Sequence, residues 1–230
     1  MSDIRKAAAF KALAAQTEAE MLTRGLNVEP VAVHNVLAHM VTMVADRMGI
    51  QARSEALPAA EHCELLAPPV AAAVRAWHGP VPVEQLLYVD TDPANADTAA
   101  FGEAYGVRPE QSANCVVIAG KRGQEVTLAG CVVLAHTRAD VNGIVRRHLG
   151  VRKASFAPKD TAVGETGMEY GGISPVGLPG GWPLLVDARV AGTPYVVIGS
   201  GRRRGKLLVP GEALAALPGA VVLDGLGTSG

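Results

Sequence analysis

A chain of 230 residues, 49% of them apolar and 4% aromatic, is long enough for one well-buried domain plus a smaller appendage, with a core of aliphatic side chains. Cys63, Cys115 and Cys131 are odd in number, show no Cys-x-x-Cys spacing and in two cases sit inside apolar runs that read as strands, which points to reduced, buried thiols. With no charged leader before an apolar signal core, and no window near the roughly eighteen uninterrupted apolar residues of a membrane span, the sequence predicts a cytoplasmic protein with no membrane partner.

Residues 3–24 set Ile4, Ala8, Ala15, Ala19 and Leu22 among charges and stop at Gly25, the pattern of an amphipathic helix with a glycine C-cap. Pro30 opens a second helix in which Val33, Val36, Leu37, Met40, Val44 and Met48 recur at helical spacing as far as Gly49. Together they predict a helical hairpin extension over residues 1–50, whose apolar stripes would serve a homodimer as readily as packing on its own domain. His34 and His39 stand five apart, off the i, i+4 spacing of helical metal ligands, so neither is read as a ligand. No metal or cofactor is expected. Residues 51–80 read as a Pro/Ala-rich connector, about 52–60, followed by a short helix over 69–77 that tolerates proline in its first turn.

From residue 81 to 230 the texture becomes that of one α/β domain with a mixed sheet. Strands are predicted over 86–89, 114–119 and 126–135, the last two around the Lys121-Arg122-Gly123 turn, with a helix over 97–105 closed by Gly106. Asp140 is placed to cap a helix that runs to Leu149 and is stopped by Gly150. Further strands are predicted over 154–156, 168–170, 184–186, 195–199 and 207–209. Pro210 introduces a short helix over 212–217, and a strand over 221–223 follows.

Two features stand out against this frame. Residues 1–120 hold 8 Lys/Arg against 14 Asp/Glu, whereas residues 121–230 hold 13 against 8. The basic excess lies in Lys121-Arg122, Arg146-Arg147, Arg152-Lys153 and Arg202-Arg203-Arg204 with Lys206, clusters suited to a phosphate backbone. The run Tyr170-Gly171-Gly172-Ile173-Ser174-Pro175-Val176-Gly177 joins adjacent glycines to a small hydroxyl and a proline, a backbone able to come close to something that side chains would block. Nucleophilic catalysis by the protein is not indicated, since Cys115 and Cys131 fall within strand-like runs and His136 has no Gly-x-Ser-x-Gly elbow near it.

The strand Cys115-Val116-Val117-Ile118, the helix end Arg147-His148-Leu149-Gly150, Lys153-Ala154-Ser155-Phe156, Gly171-Gly172-Ile173-Ser174-Pro175, Leu184-Leu185-Val186-Asp187 and Gly199-Ser200-Gly201-Arg202-Arg203 occur in an order that resembles the YbaK family of aminoacyl-tRNA deacylases. That family includes the editing domain of bacterial prolyl-tRNA synthetases, and the resemblance covers roughly residues 81–225. It implies a compact mixed sheet flanked by helices, and hydrolysis of the ester joining a wrong, small amino acid to the 3′ end of a tRNA, without metal or cofactor. Such an ester is already activated, so oriented donors and an admitted water suffice. Selectivity would come from a pocket acting as a second sieve.

By the same resemblance, Gly171, Gly172, Ser174, Pro175 and Gly199 shape the aminoacyl pocket, and Arg146, Arg147, Arg202, Arg203 and Arg204 meet the tRNA, with a synthetase as a further partner. Family members usually carry an activity-linked lysine just before the strand that starts here at Cys115, and this chain has Asn114. Where many relatives carry an acid after the Gly-Ser-Gly turn, it has Lys206. Asn114 and Lys206 are therefore expected to replace the usual lysine and acid, with Ser200 as the third polar group near the ester. A protein of the same fold that binds aminoacyl-tRNA without hydrolysing it is the alternative.

Overall fold

The computed structural model describes residues 56–229. Its longest elements are β3 (Ala113–Arg122) and β4 (Glu125–Leu134), paired antiparallel from Ala113↔Leu134 to Arg122↔Glu125 across Gly123-Gln124. Gly123 has φ 65° while Gln124 does not share the positive sign, which makes the connection a type II′ turn with glycine at the position that demands it.

To this hairpin are added β6 (Lys153–Phe156), β7 (Leu184–Asp187) and β10 (Ala220–Leu223), giving the order β10-β7-β4-β3-β6. The first three of these run parallel to one another, and the pairs β4-β3 and β3-β6 are antiparallel. A second, wholly antiparallel sheet is built from β1 (Ala56–Pro58), β2 (Leu87–Val89), β8 (Val196–Gly199) and β9 (Lys206–Val209) in the order β1-β2-β9-β8. A bridge from Ser112 to Val197 joins the two sheets at the start of β3. A short ribbon pairs β5 (Thr137–Ala139) with β11 (Gly227–Ser229), fastened to β7 by the buried Asp187 carboxylate, which accepts from Arg189 and from the Gly227 amide.

Alternation along the strands gives each sheet two apolar faces. Leu207 and Val209 enter the main core with Val132, Val186 and Val196, against α1 (Pro68–Arg75). On the opposite face Leu208 joins Leu87 and Val197 beneath Phe101 of α2 (Thr98–Tyr105). The same face of β3 and β4 puts Ile118, Cys131 and Val133 under Val141 and Val145 of a π-turn (Val141–Val145) that runs into a single helical turn, α3 (Arg146–His148). Asp97 caps α2 by accepting from Ala99 and Ala100, and Gly106 closes it at φ 68°. The sheets flanked by helices are the mixed α/β arrangement expected.

The structure departs from the sequence reading in several places. Residues 168–170 are a turn and not a strand, because Gly167 at φ 64° and Gly171 at φ 87° bend the chain on either side. The helix before it, α4 (Lys159–Thr166), was not predicted: it buries only Ala162 and Thr166 and so carries no apolar stripe. The helix expected from Asp140 begins as the π-turn. Part of the expected connector is core, with β1 in a sheet and Ala59 fully buried. Short α5 (Ala188–Ala191) and the β5-β11 ribbon add to the expected elements, and α6 (Gly211–Ala215) matches the helix after Pro210. The helical hairpin of residues 1–50, and the dimer expected through it, lie outside the described residues. Among those described, no helix is long and apolar enough to cross a membrane.

Candidate functional site

β8 ends and β9 begins at the pair Gly199↔Lys206, directly opposite in register and on the same face as Val197 and Leu208. Where Gly199 would carry a Cβ, the carbonyl oxygens of Gly172 and Ile173 stand 2.3 and 2.6 Å away. Backbone of the 171–175 loop therefore occupies the place of a side chain. Gly172 fits the facing loop in the same way, since its Cβ would come within 2.2 Å of the Arg202 carbonyl oxygen, and Gly201 donates to the Gly172 carbonyl at 2.8 Å. Sequence reasoning assigned these glycines to the approach of a ligand. In the structure, what approaches Gly172 and Gly199 is the protein's own second loop, and Gly171, exposed at φ 87°, is the member left on the outside.

Lys206 is 6% exposed, and its Nζ donates to the Ala96 carbonyl at 2.7 Å while lying 5.5 Å from the centre of the Phe101 ring. Burial pushes its pKa down to about 8; the Asp97 carboxylate opposes that shift and Arg203 adds to it. Asn114, at the start of β3, accepts through Oδ1 from the Thr98 hydroxyl at 2.6 Å, which leaves its NH2 group as a donor. Ala96, Asp97 and Thr98 are consecutive. One short segment, the entry to α2, thus holds the partners of both Asn114 and Lys206. Sequence reasoning placed residues 97–105 in a helix but missed this bridging role, which pairs residues far apart in the chain.

The remaining predicted residues are placed differently. Ser200 is fully buried, and its hydroxyl is engaged by the carbonyls of Gly205 at 3.0 Å and Arg204 at 3.1 Å inside its own turn. It braces the loop from inside its own turn. Ser174 is likewise buried, its hydroxyl accepting from the Val176 amide at 3.2 Å, and Pro175 is buried beside it. Arg204 forms a two-pronged pair with Asp90 at 2.6 and 2.7 Å, and that guanidinium holds the Asp90 carboxyl below its usual range. Arg203 donates to the carbonyls of Pro93 and Tyr170, and its amide donates to Glu169 at 2.7 Å. Arg202 has no hydrogen bond from its guanidinium among the described residues. These loops are tied to β2 through Asp90 and through Tyr88, whose ring fills the space a Cβ on Gly205 would need.

Arg146 and Arg147 are exposed on α3, above the far end of β3 from Asn114. The structure does not bring them together with Arg202, Arg203 and Arg204. Cys115 and Cys131 lie on opposite faces of the β3-β4 pair, and burial pushes both thiols up, Cys131 to about 12. Neither is a nucleophile near neutral pH. Among the described residues no group of three or more His, Cys, Asp or Glu side chains is placed to hold a metal ion.

Residues 92–217, just over half of the chain, match the family model described as the aminoacyl-tRNA editing domain. Among solved structures the chain is similar to one described as a candidate trans-editing enzyme for prolyl tRNA synthetase, at 24% identity and a TM-score of 0.59, covering 71% of this chain and 97% of that one. A scaffold protein used for computational grafting of epitope backbones matches at 25% identity, with the same TM-score and coverage. A third structure, described as a hypothetical protein, matches at 22% identity with a TM-score of 0.52, over 58% of this chain and 85% of that one.

Proposed function

The chain belongs to the aminoacyl-tRNA editing domain family, and from that premise we propose that it is a trans-acting, cytoplasmic deacylase that removes small, wrongly attached amino acids from tRNA. The observation that carries this reading is the convergence of Asn114 and Lys206 on the 96–98 segment, next to the loop of residues 171–175. In the proposed step the ester carbonyl accepts from the Asn114 NH2. Water adds to the carbonyl carbon, the bond to the ribose oxygen breaks, and the proton released by the water ends on that oxygen. Lys206 is too enclosed to be the main contact with substrate. Its cation supplies positive potential from below, and its bond to Ala96 holds the segment that orients Asn114. The reading requires no metal.

Gly171, Gly172, Ser174, Pro175 and Gly199 act through the backbone they place, Ser200 through the turn it braces. A rigid wall of backbone suits a pocket that excludes by size. Arg202 and Arg203, with Arg146 and Arg147 further away, are the proposed tRNA contacts, and Arg204 reinforces the loop. The solved structure described as a candidate trans-editing enzyme for prolyl tRNA synthetase supports a free-standing editor with a synthetase as partner.

The test is ester loss from tRNAs charged with alanine, serine, threonine, cysteine or proline. Selective acceleration by the natural protein, lowered at least about 100-fold in Lys206→Ala, is the expected result. Salt-sensitive binding with no acceleration on any charged tRNA would overturn it in favour of a binding module.

A further inference from the structure

At the end of β3 far from Asn114, a hollow of about 530 Å³ is lined by Lys121, Arg146, Arg152 and Lys153 together with Asn142 and Ser155. Four of these residues are cations. None has an ion pair with, or donates a side-chain hydrogen bond to, a described residue. Lys121 and Lys153 are directly opposite each other in the β3-β6 ladder, a like-charge placement that is unfavourable in the protein alone. Arg152 is anchored beside them by its amide, which donates to the Lys121 carbonyl at 2.9 Å, and it also borders the adjoining hollow at the β3-β4 turn. Glu125 of that turn is the acid among the residues lining the two hollows. Repulsion built into a strand pair is relieved when an anion enters between the charges.

We propose that this hollow is a second anchoring site for the sugar-phosphate backbone of RNA, engaged by the same tRNA whose 3′ end lies at Asn114. The proposal rests on the functional reading above for the position of that end, and on Lys121, Arg152, Lys153 and Arg146 for the second site. Seven residues of extended strand separate Asn114 from Lys121, about 23 Å at the usual rise per residue, and the odd number of steps sets the two side chains on opposite faces of β3, so a ligand that meets both must also pass from one face to the other. A free phosphate or a short metabolite cannot reach both places. A nucleic acid backbone can, and it presents successive charges to a row of cations rather than to one.

The experiment measures binding of uncharged tRNA across a salt series by the full chain and by Lys121→Ala/Arg152→Ala, beside hydrolysis of a 3′-aminoacyl trinucleotide too short to span the distance. The expected result is a salt slope shallower by about 1.5, near 0.7–0.9 for each lost phosphate contact, with trinucleotide hydrolysis unchanged and Tm equal or higher because the facing lysines no longer repel. An unchanged slope and affinity in a folded variant would overturn the proposal. So would binding of inorganic phosphate at the hollow with no difference between the proteins on tRNA. If neither protein hydrolyses anything, the deacylase reading fails, while the slope still decides whether the hollow binds RNA.

Discussion

At one end of β3 the cations Arg203, Arg204 and Lys206 are each bonded to oxygen atoms of the fold, whereas at the other Lys121, Arg146, Arg152 and Lys153 line a hollow with no such bond. Both groups appear in the sequence as short basic runs. The first group serves chiefly to hold two loops and a helix entry in place, while the second is left for a ligand. A cluster of positive charge therefore says little until its partners are known, because the same residue types brace a fold in one place and recruit an anion in another.

The contrast is broken most severely at the backbone fit that the first group surrounds. In Gly199→Val the new Cβ would meet the Gly172 carbonyl oxygen at 2.3 Å and the Ile173 carbonyl oxygen at 2.6 Å, both of them backbone atoms rather than the ends of flexible side chains. We expect a loss of at least about 3 kcal/mol in urea unfolding together with loss of hydrolysis. Gly171→Val, where only the end of the Arg203 side chain is close but φ is 87°, should cost about 1–2 kcal/mol and leave the protein folded.

Lys206 offers a sharper distinction between bracing and binding. Its folded pKa lies below the unfolded value, so the unfolded chain holds more protons between about 8 and 10.5, and stability from this group rises with pH across that window. From pH 8 to 9 the natural protein should gain about 1 kcal/mol relative to Lys206→Met, measured by denaturant unfolding at each pH. The deacylase rate should move the opposite way, falling above pH 8 as the buried cation is lost. A smaller effect tests the core between the two regions. Cys115 and Cys131 should resist a thiol reagent at pH 8 in the folded protein and react on unfolding, because burial keeps both protonated.

How much of this was legible in the sequence follows the range of the interaction involved. The β3-β4 hairpin and the C-terminal end of α2 were readable because Gly123 and Gly106 act on residues next to them. By contrast, α4 left no periodic trace, since Ala162 and Thr166 are its only buried side chains. Glycines at 171, 172 and 199 announced a close approach, but a sequence cannot say whether the approaching backbone belongs to a ligand or to the chain itself. The pairing of Asn114 and Lys206 was inferred from a resemblance, and its physical link, the carbonyl of Ala96 and the hydroxyl of Thr98, depends on contacts that only the folded chain makes.

The length of β3 has one more consequence. A single ten-residue strand, clamped on both edges by β4 and β6 near its far end, cannot stretch or bend appreciably, so it works as a ruler. Its graduations can be read in nucleotides, for about 23 Å takes several successive phosphates of a nucleic acid backbone to cover. Affinity should then rise in a step once an RNA is long enough to touch both marks, instead of growing smoothly with each added residue.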